Sequence, residues 1–175
     1  MAGLLVLVLA GCGDDGGTAS TAAGTVSQYT AGERPAAPDI AGELVQGGRF
    51  SLAEARGDVV VMNFWGSWCA PCRAEADDLQ AVYAATRAAG VRFVGVNVSD
   101  TVPKAKAFDR AFGITYPSLS DPAGRVALRF RQTPPSAVPA TIVVDRRGGV
   151  AAVFRTPLIE EDLRPIVDRL AAEPR

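Results

Sequence analysis

The strongest constraint on the fold is a continuous apolar stretch that leads into a pair of cysteines. Residues 59–62 read Val-Val-Val-Met, between Asp58 and Asn63. A run without polar alternation is typical of a strand buried on both faces of a sheet, which requires helices to cover both faces. Cys69 and Cys72 follow, ahead of a segment with helical periodicity. We therefore expect a strand–turn–helix unit with the cysteine pair at the start of the helix.

The remaining sequence predicts further strands and helices in alternation, separated by glycine and proline turns. This order favours the α/β class, with a mixed sheet covered by helices. In the first half of the chain we expect a leading hairpin over residues 43–50, a short helix opened by a capping box at 51–54 and ended by Gly57, and the buried strand over 58–65. A helix ending at Gly90, a strand over 91–98 and a helix ending at Gly113 should follow. The last part should contain a turn at 121–124, a helix over 126–130, a hairpin over 140–154, and a final helix that Pro165 kinks or begins.

Composition excludes several classes of function. The chain has 175 residues, which suits one domain rather than two. Its 18 basic and 19 acidic residues leave a net charge of -1, which gives no positive field for nucleic acid. The sequence contains no histidine, so it has no histidine general base, catalytic triad or histidine metal ligand.

The amino terminus predicts an export signal followed by a tether. Residues 4–9 are apolar but too short to span a bilayer, which suits the central region of a signal peptide. Residues 9–12, Leu-Ala-Gly-Cys, resemble a bacterial lipobox, which implies cleavage before Cys12 and lipid on its thiol. The alternative is an apolar tail with an incidental cysteine. We expect a signal peptide over 1–11, the lipidated Cys12 and a flexible linker over 12–34, and the folded domain over 35–175.

The cysteine pair is the candidate reactive site. Cys69 should lie at or just before a helix N-terminus, where free amide groups and the helix dipole stabilise a thiolate. Pro71 is compatible with that position because early helical residues need no N–H donor. Cys72 can then attack a mixed disulfide formed by Cys69 and release the partner. An inert structural disulfide and half of a zinc site are the alternatives, although a zinc site would lack two of its ligands.

Three segments together resemble the thioredoxin superfamily, and most closely its membrane-anchored thiol–disulfide oxidoreductases of the TlpA and ResA type. Residues 63–75 read NFWGSWCAPCRAE, which is similar to that family's signature. Residues 37–40 with 51–52 resemble its leading segment, and residues 138–141 resemble its cis-proline element. The resemblance covers residues 35–175. It implies a thioredoxin-like mixed β-sheet flanked by helices, with an N-terminal β-hairpin and a central strand–helix insertion.

The resemblance also assigns roles to individual residues. Cys69 and Cys72 would form the redox-active disulfide, and Glu75 would be the carboxylate near Cys72. The client would contact four further residues, Trp68, Pro71, Val138 and Pro139. The alternatives are a solvated glutamate at position 75 and an ordinary trans proline at 139. Trp68 could also be a simple rim aromatic, and for Trp65 we expect a place in the core.

The resulting functional hypothesis is an extracytoplasmic thiol–disulfide oxidoreductase, lipid-anchored to the cell membrane at Cys12 and active as a monomer without metal or organic cofactor. The resemblance favours a reductant of exported proteins that receives electrons from a membrane thiol donor. Cytochrome c maturation and general disulfide repair are the roles it suggests.

Two other functions remain as alternatives, a peroxiredoxin-like peroxidase and a non-catalytic binding lipoprotein. The peroxidase signature needs a proline and a hydroxyl residue where this chain has Met62 and Gly66.

Overall fold

The computed structural model describes residues 25–132 and 134–174. No helix within these ranges is long and apolar enough to cross a bilayer. The strands are β1 Val26–Gln28, β2 Ala41–Glu43, β3 Arg49–Ser51, β4 Val59–Trp65, β5 Val91–Val98, β6 Ser118–Asp121, β7 Ala140–Val144 and β8 Val150–Phe154. The helices are α1 Ala70–Ala74, α2 Ala76–Thr86, α3 Val102–Ala111, α4 Arg125–Arg129 and α5 Glu160–Ala172, with short 3-10 turns at Ala53–Ala55 and Arg87–Ala89.

A six-stranded mixed sheet organises the molecule, in the order β1-β8-β7-β4-β5-β6. The central strand β4 runs parallel to β5, with Val59 opposite Val91 and Trp65 opposite Asn97. On its other side β4 runs antiparallel to β7, so both neighbours satisfy its backbone groups. β2 and β3 form a separate antiparallel hairpin. The predicted α/β class and the mixed sheet flanked by helices are confirmed.

The alternating side chains of β4 enter two different layers of the core. Val59 and Val61 pack in a cluster with apolar residues of α2 and α5. Val60, Met62 and Phe64 pack on the opposite face, in a cluster that includes residues of β5, β7 and β8. All seven residues of β4 are buried, as predicted for a strand covered on both faces. The predicted apolar face of the last helix is also buried, at Leu163, Ile166, Val167 and Leu170.

Several predicted elements differ from the structure. Ser51 ends β3, and the short 3-10 turn after it has no side-chain cap, so the predicted capping box is wrong. The helix after the cysteines is broken at Glu75 rather than continuous. β6 was not predicted because its four residues include a single large apolar side chain. Pro165 lies inside α5, which begins at Glu160, so the proline does not mark its start.

The predicted flexible linker over 12–34 is wrong in its last part. Val26–Gln28 pair antiparallel with β8 at the edge of the sheet. The side chain of Arg34 is buried, and its guanidinium contacts Asp145 at 2.9 Å and Glu173 at 2.6 Å. The composition of this segment does not indicate a strand, because so short an edge strand is held mainly by backbone hydrogen bonds to a partner that is distant in sequence. The predicted signal peptide over 1–11 and Cys12 lie outside the described residues.

Candidate active site

The cysteine pair lies at the end of β4 where the chain turns into α1. Cys69 is the N-cap residue of α1, and Cys72 lies within its first turn, as predicted. The two form a disulfide with a Cα–Cα distance of 5.3 Å. Both residues are buried, in a cluster with Trp65 and apolar residues of α2 and α3. Trp65 is a core residue, as expected, and its indole N–H donates to Ser118 Oγ at 3.1 Å.

The backbone around Cys69 favours negative charge on its sulfur. The amide N–H of Cys72 donates to Cys69 Sγ at 3.2 Å. When the disulfide opens, the same donor can stabilise a thiolate on Cys69, which lowers the free energy of the nucleophilic form. Cys72 accepts no comparable hydrogen bond among the described residues. The two sulfurs are therefore inequivalent, and Cys69 is the better suited to attack.

Trp68 forms an exposed platform beside the disulfide. Its side chain is 54% exposed, yet its indole N–H donates to the Val98 carbonyl at 3.2 Å. The ring lies over Gly66, where an added Cβ would come within 2.5 Å of the indole nitrogen. A glycine at position 66 is thus required for this placement of Trp68. The platform is fixed by backbone geometry although it faces solvent.

Asp100 holds the turn that precedes Cys69. Its Oδ2 accepts from the Ser67 N–H at 2.7 Å and from the Asn97 amide at 3.2 Å, and its Oδ1 accepts from the Thr101 N–H at 2.8 Å. Partial burial raises the pKa of Asp100, but these hydrogen bonds outweigh burial and hold the pKa below its usual value. Asp100 has no signal in the sequence, because no local pattern connects it to residue 67.

The segment just before β7 also borders the site, and together with Trp68 and Pro71 it forms what we call the rim. The Val138–Pro139 peptide bond is cis. Val138 is partly buried and packs against the cluster that contains Trp65, Cys69 and Cys72. Pro71 is exposed, at the second position of α1. The structure thus brings Val138 to the cluster that contains the disulfide, across more than sixty residues of sequence.

Glu75 is a buried carboxylate rather than a solvated one. It is 1% exposed and sits at the break between α1 and α2. Its Oε1 accepts from the Asn63 side-chain amide at 2.8 Å, and its Oε2 accepts from the Leu158 N–H at 3.0 Å. Asn63 also donates to Thr141 Oγ1 at 3.1 Å. The network joins β4, β7 and the segment before α5, and Leu158 had no sequence signal.

The environment of Glu75 makes its proton available near neutral pH. Burial is the largest influence and raises its pKa to about 7. The hydrogen bonds from Asn63 and Leu158 oppose this rise, while the nearby charge of Asp78 adds to it. A carboxyl group with such a pKa can accept and return a proton under ordinary conditions.

Comparison with known proteins identifies the family. The sequence profile of the AhpC/TSA family matches residues 34–153. The chain belongs to the AhpC/TSA family. It is 30% identical over 128 residues to the thiol-disulfide oxidoreductase ResA of Geobacillus thermodenitrificans, covering 73% of this chain and 72% of that one. It is 34% identical over 125 residues to the thiol:disulfide interchange protein HelX of Rhodobacter capsulatus, covering 70% and 67%.

Solved structures support the same assignment. A DsbF homologue from Corynebacterium diphtheriae superposes with a TM-score of 0.80 at 40% identity, covering 86% of this chain and 96% of that one. A secreted thiol-disulfide isomerase from Corynebacterium glutamicum superposes with a TM-score of 0.82 at 34% identity, covering 88% and 96%. The predicted thioredoxin-like fold is confirmed. The protein is a thiol–disulfide oxidoreductase, as predicted.

The titration of Glu75 should appear in the pH dependence of stability. The native pKa of about 7 lies above the unfolded value of 4.5, so the stabilising contribution is complete below pH 4.5 and is lost as pH rises through 7. This difference corresponds to about 3 kcal/mol in the free energy of unfolding. We expect urea denaturation of the oxidised protein to show this loss, and Glu75→Gln to remove it.

The matched control is Asp77→Asn, which removes an exposed carboxylate from the same helical region. Identical slopes of unfolding free energy against pH for wild type and Glu75→Gln would show that Glu75 does not bind a proton in this range.

Proposed function

We propose that the protein reduces disulfide bonds of exported proteins by a dithiol cycle between Cys69 and Cys72. The supporting observation is a Cys69–Cys72 disulfide at a helix start, with a buried carboxylate one helical turn beyond it. This arrangement provides an attacking sulfur, a second sulfur that can reach it, and a group for the proton that must move.

The cycle transfers two electrons from the reduced protein to the client. The Cys69 thiolate attacks one sulfur of the client disulfide, which gives a mixed disulfide and a client thiolate that takes up a proton. Cys72 then loses its proton and attacks Cys69 Sγ, which breaks the mixed disulfide and releases the second client sulfur. Glu75 accepts the Cys72 proton and gives it up to solvent or to the leaving sulfur. A charged Glu75 also keeps Cys72 protonated until this step.

The client would bind across the rim described above. Trp68 and Pro71 are exposed beside Cys69, Val138 is partly buried against the cluster that contains the disulfide, and the following Pro139 is buried. An extended client segment placed along Trp68, Pro71 and Val138 would present its disulfide to Cys69. Because the rim contacts are mainly apolar and backbone groups, we expect the selection of clients to depend little on their sequence.

Location and partners complete the proposal. Cys12 would carry the lipid anchor on the extracytoplasmic side of the cell membrane, after removal of residues 1–11. The tether would then end at β1, and the folded domain would act as a monomer. Its partners would be disulfide-containing exported proteins and a membrane thiol donor that restores the dithiol, with cytochrome c maturation as one role that would use this chemistry.

Trapping of clients tests the roles of the two cysteines. Cys72→Ser leaves Cys69 able to attack but removes the sulfur that resolves the mixed disulfide. We expect this variant to accumulate mixed-disulfide adducts with other proteins, which are visible on non-reducing gels and are cleaved when a reductant is added. Cys69→Ser is the matched control and should give few adducts. Adducts with Cys69→Ser and none with Cys72→Ser would reverse the two roles.

The role of Glu75 can be separated from its structural contribution. Glu75→Gln removes the charge, and its amide can replace only one of the two accepting oxygens. We expect client release to slow by about a hundredfold, at the lower end of the usual range for a general base, and to lose its pH dependence near pH 7. Stopped-flow reduction of a model disulfide resolves release from the first attack, which should change less. If client release by Glu75→Gln kept the wild-type pH profile, Glu75 would not be the proton acceptor and water would accept the Cys72 proton instead.

Fractionation tests the anchor. Cys12→Ala removes the proposed site of lipidation, so the protein should leave the membrane fraction of a lipoprotein-processing bacterial host. Stable anchoring requires more than one acyl chain, which lipidation at this cysteine would supply. Ser20→Ala, in the same segment, is the control. Metabolic labelling with a fatty acid should mark only the chains that retain Cys12, and an unlabelled wild type would rule out the anchor.

A further inference from the structure

One edge of the six-stranded sheet is open beside the first half of β5. Strand β6 pairs only with the second half of β5, from Gly95 to Val98. On the other side, β4 pairs with β5 from Val91 onward. No strand in the described part of the chain pairs with residues 91–94 on the side away from β4. This stretch of β5 therefore presents backbone groups that the sheet does not use.

Two residues of this stretch direct their N–H and C=O groups outward. The Gly95 N–H donates to the Pro117 carbonyl at 2.9 Å, so the backbone groups of Gly95 face the β6 side of the strand. Because these groups alternate between the two sides of a strand, those of Val91 and Phe93 face the same way. Among the described residues, nothing forms a hydrogen bond with them there. The open edge thus offers two donors and two acceptors.

Two features of the chain keep β6 from extending along this edge. In the register of β5 and β6, the next ladder bond would run from the N–H of residue 117 to the Phe93 carbonyl, but Pro117 has no N–H. Thr115 is held by α2 instead, because the Gln80 side chain accepts from its N–H and donates to its Oγ1, both at 2.9 Å. The opening is therefore a consequence of the fold.

The open edge forms the floor of an apolar groove. Tyr83 of α2 lies on one face of the sheet and Phe50 of β3 on the other, and both are half-buried. Together with Pro117 they line a cavity of about 320 Å³. Tyr83 packs on Phe93 and on Tyr116, in each case with ring centroids 5.6 Å apart. The groove thus has an aromatic wall on each side of an unpaired strand edge.

Two arginines border the groove, one on each face of the sheet. Arg87 is exposed in the 3-10 turn after α2 and forms no hydrogen bond or ion pair with any residue in the described ranges. Arg92 extends from β5 on the face that carries Phe50. Its Nε donates to Asp58 at 2.6 Å, while its two terminal nitrogens have no partner in the described chain. The groove is therefore positively charged, although the chain carries a net charge of -1.

An extended peptide matches each of these features. Addition of a strand to an open sheet edge supplies main-chain hydrogen bonds, and the alternating side chains of the added strand enter the spaces above and below the sheet. A second copy of this chain is a poorer match, because pairing of two such edges would bring like charges together. We propose that the open edge of β5 binds, by strand addition, an extended segment of a partner protein that has apolar residues at its centre and acidic residues at its ends.

The proposed docking groove lies away from the disulfide. Val91 pairs with Val59 at the start of β4, whereas the cysteines follow the end of β4. Val91 precedes Asn97, the partner of Trp65 at that end, by a length of strand of roughly 20 Å. A partner bound in the groove leaves the disulfide end of the sheet uncovered. The protein can therefore hold one partner while it exchanges disulfides with another.

A short peptide without cysteine tests the proposal. The probe is fluorescein-labelled Glu-Val-Phe-Val-Glu with an amidated C-terminus, and its binding to the oxidised protein is measured by fluorescence anisotropy. Amide hydrogen exchange, followed by NMR, locates the bound peptide. In the free protein the Val91 and Phe93 amides should exchange faster than those of Arg92 and Val94, whose N–H groups face β4. We expect the probe to slow exchange at Val91 and Phe93.

Charge reversal on the protein tests the contribution of the arginines. Arg87→Glu should weaken binding at least about tenfold, because a repelling charge replaces an attracting one. Arg129→Glu is the matched control, since it makes the same change of net charge at an exposed position of α4, and it should bind the probe as the wild type does. The wild type should reduce a model disulfide at the same rate with and without bound probe.

Two altered peptides separate strand addition from simpler attraction. Lys-Val-Phe-Val-Lys reverses the charge of the probe and should bind at least about tenfold more weakly at low salt. A probe that is N-methylated at its three central residues keeps every side chain but loses the N–H donors that a ladder needs. It should also bind at least about tenfold more weakly.

Each opposite result would overturn part or all of the proposal. Equal binding of the N-methylated probe would exclude strand addition, and equal binding of the lysine peptide or of Arg87→Glu would exclude an acidic partner. Slow exchange at Val91 and Phe93 that depends on protein concentration without peptide would identify a second copy as the occupant. Absence of binding at about 1 mM probe would contradict the docking groove itself. The peptide carries no sulfur, so none of these results bears on the dithiol cycle, which the trapping experiment tests.

Discussion

Strand β4 has no exposed residue, so each of its side chains must be covered by helices or loops on one face or the other. That requirement places α2 and α5 on one side and the segments around β6 and α4 on the other. It also fixes the end of the strand as the point where the chain must turn and start a helix. The disulfide is held at this turn, and Trp65 anchors it by packing on Phe108 with ring centroids 4.5 Å apart.

The same strand explains how a carboxylate can be tolerated in the interior. Asn63 is the one polar side chain of β4, and its amide satisfies both Glu75 and Thr141. Glu75 lies where α1 breaks from α2, which turns its side chain toward the sheet and lets Leu158 supply a second donor. Two hydrogen bonds offset part of the desolvation cost, and the remainder appears as a pKa near 7. The energetic cost of burial is thereby what makes the group useful for proton transfer.

The edge strand β1 fixes where the N-terminal chain joins the sheet. A short strand contributes little apolar burial, but the register of β1 on β8 decides from which end the N-terminal chain leaves the domain. The Arg155 side chain donates to Ser27 Oγ of this strand at 3.1 Å, and Arg34, which follows the strand, contacts Asp145. Contacts between residues far apart in sequence thus hold the edge strand on the sheet.

Local sequence patterns determined the buried central strand, the helix-start position of Cys69, and the hairpin at residues 140–154, because each depends on neighbours within a few residues. The family resemblance pointed to Glu75 as a site residue, although its hydrogen-bond partners on β4 and before α5 depend on tertiary contacts. The strand at Val26–Gln28, the burial of Arg34 and the roles of Asp100 and Leu158 required the tertiary structure. Each consists of a hydrogen bond or ion pair whose second member lies between thirty and about one hundred and forty residues away. Only the folded sheet brings such partners together, because a short polar segment has no periodicity that would reveal a distant donor or acceptor.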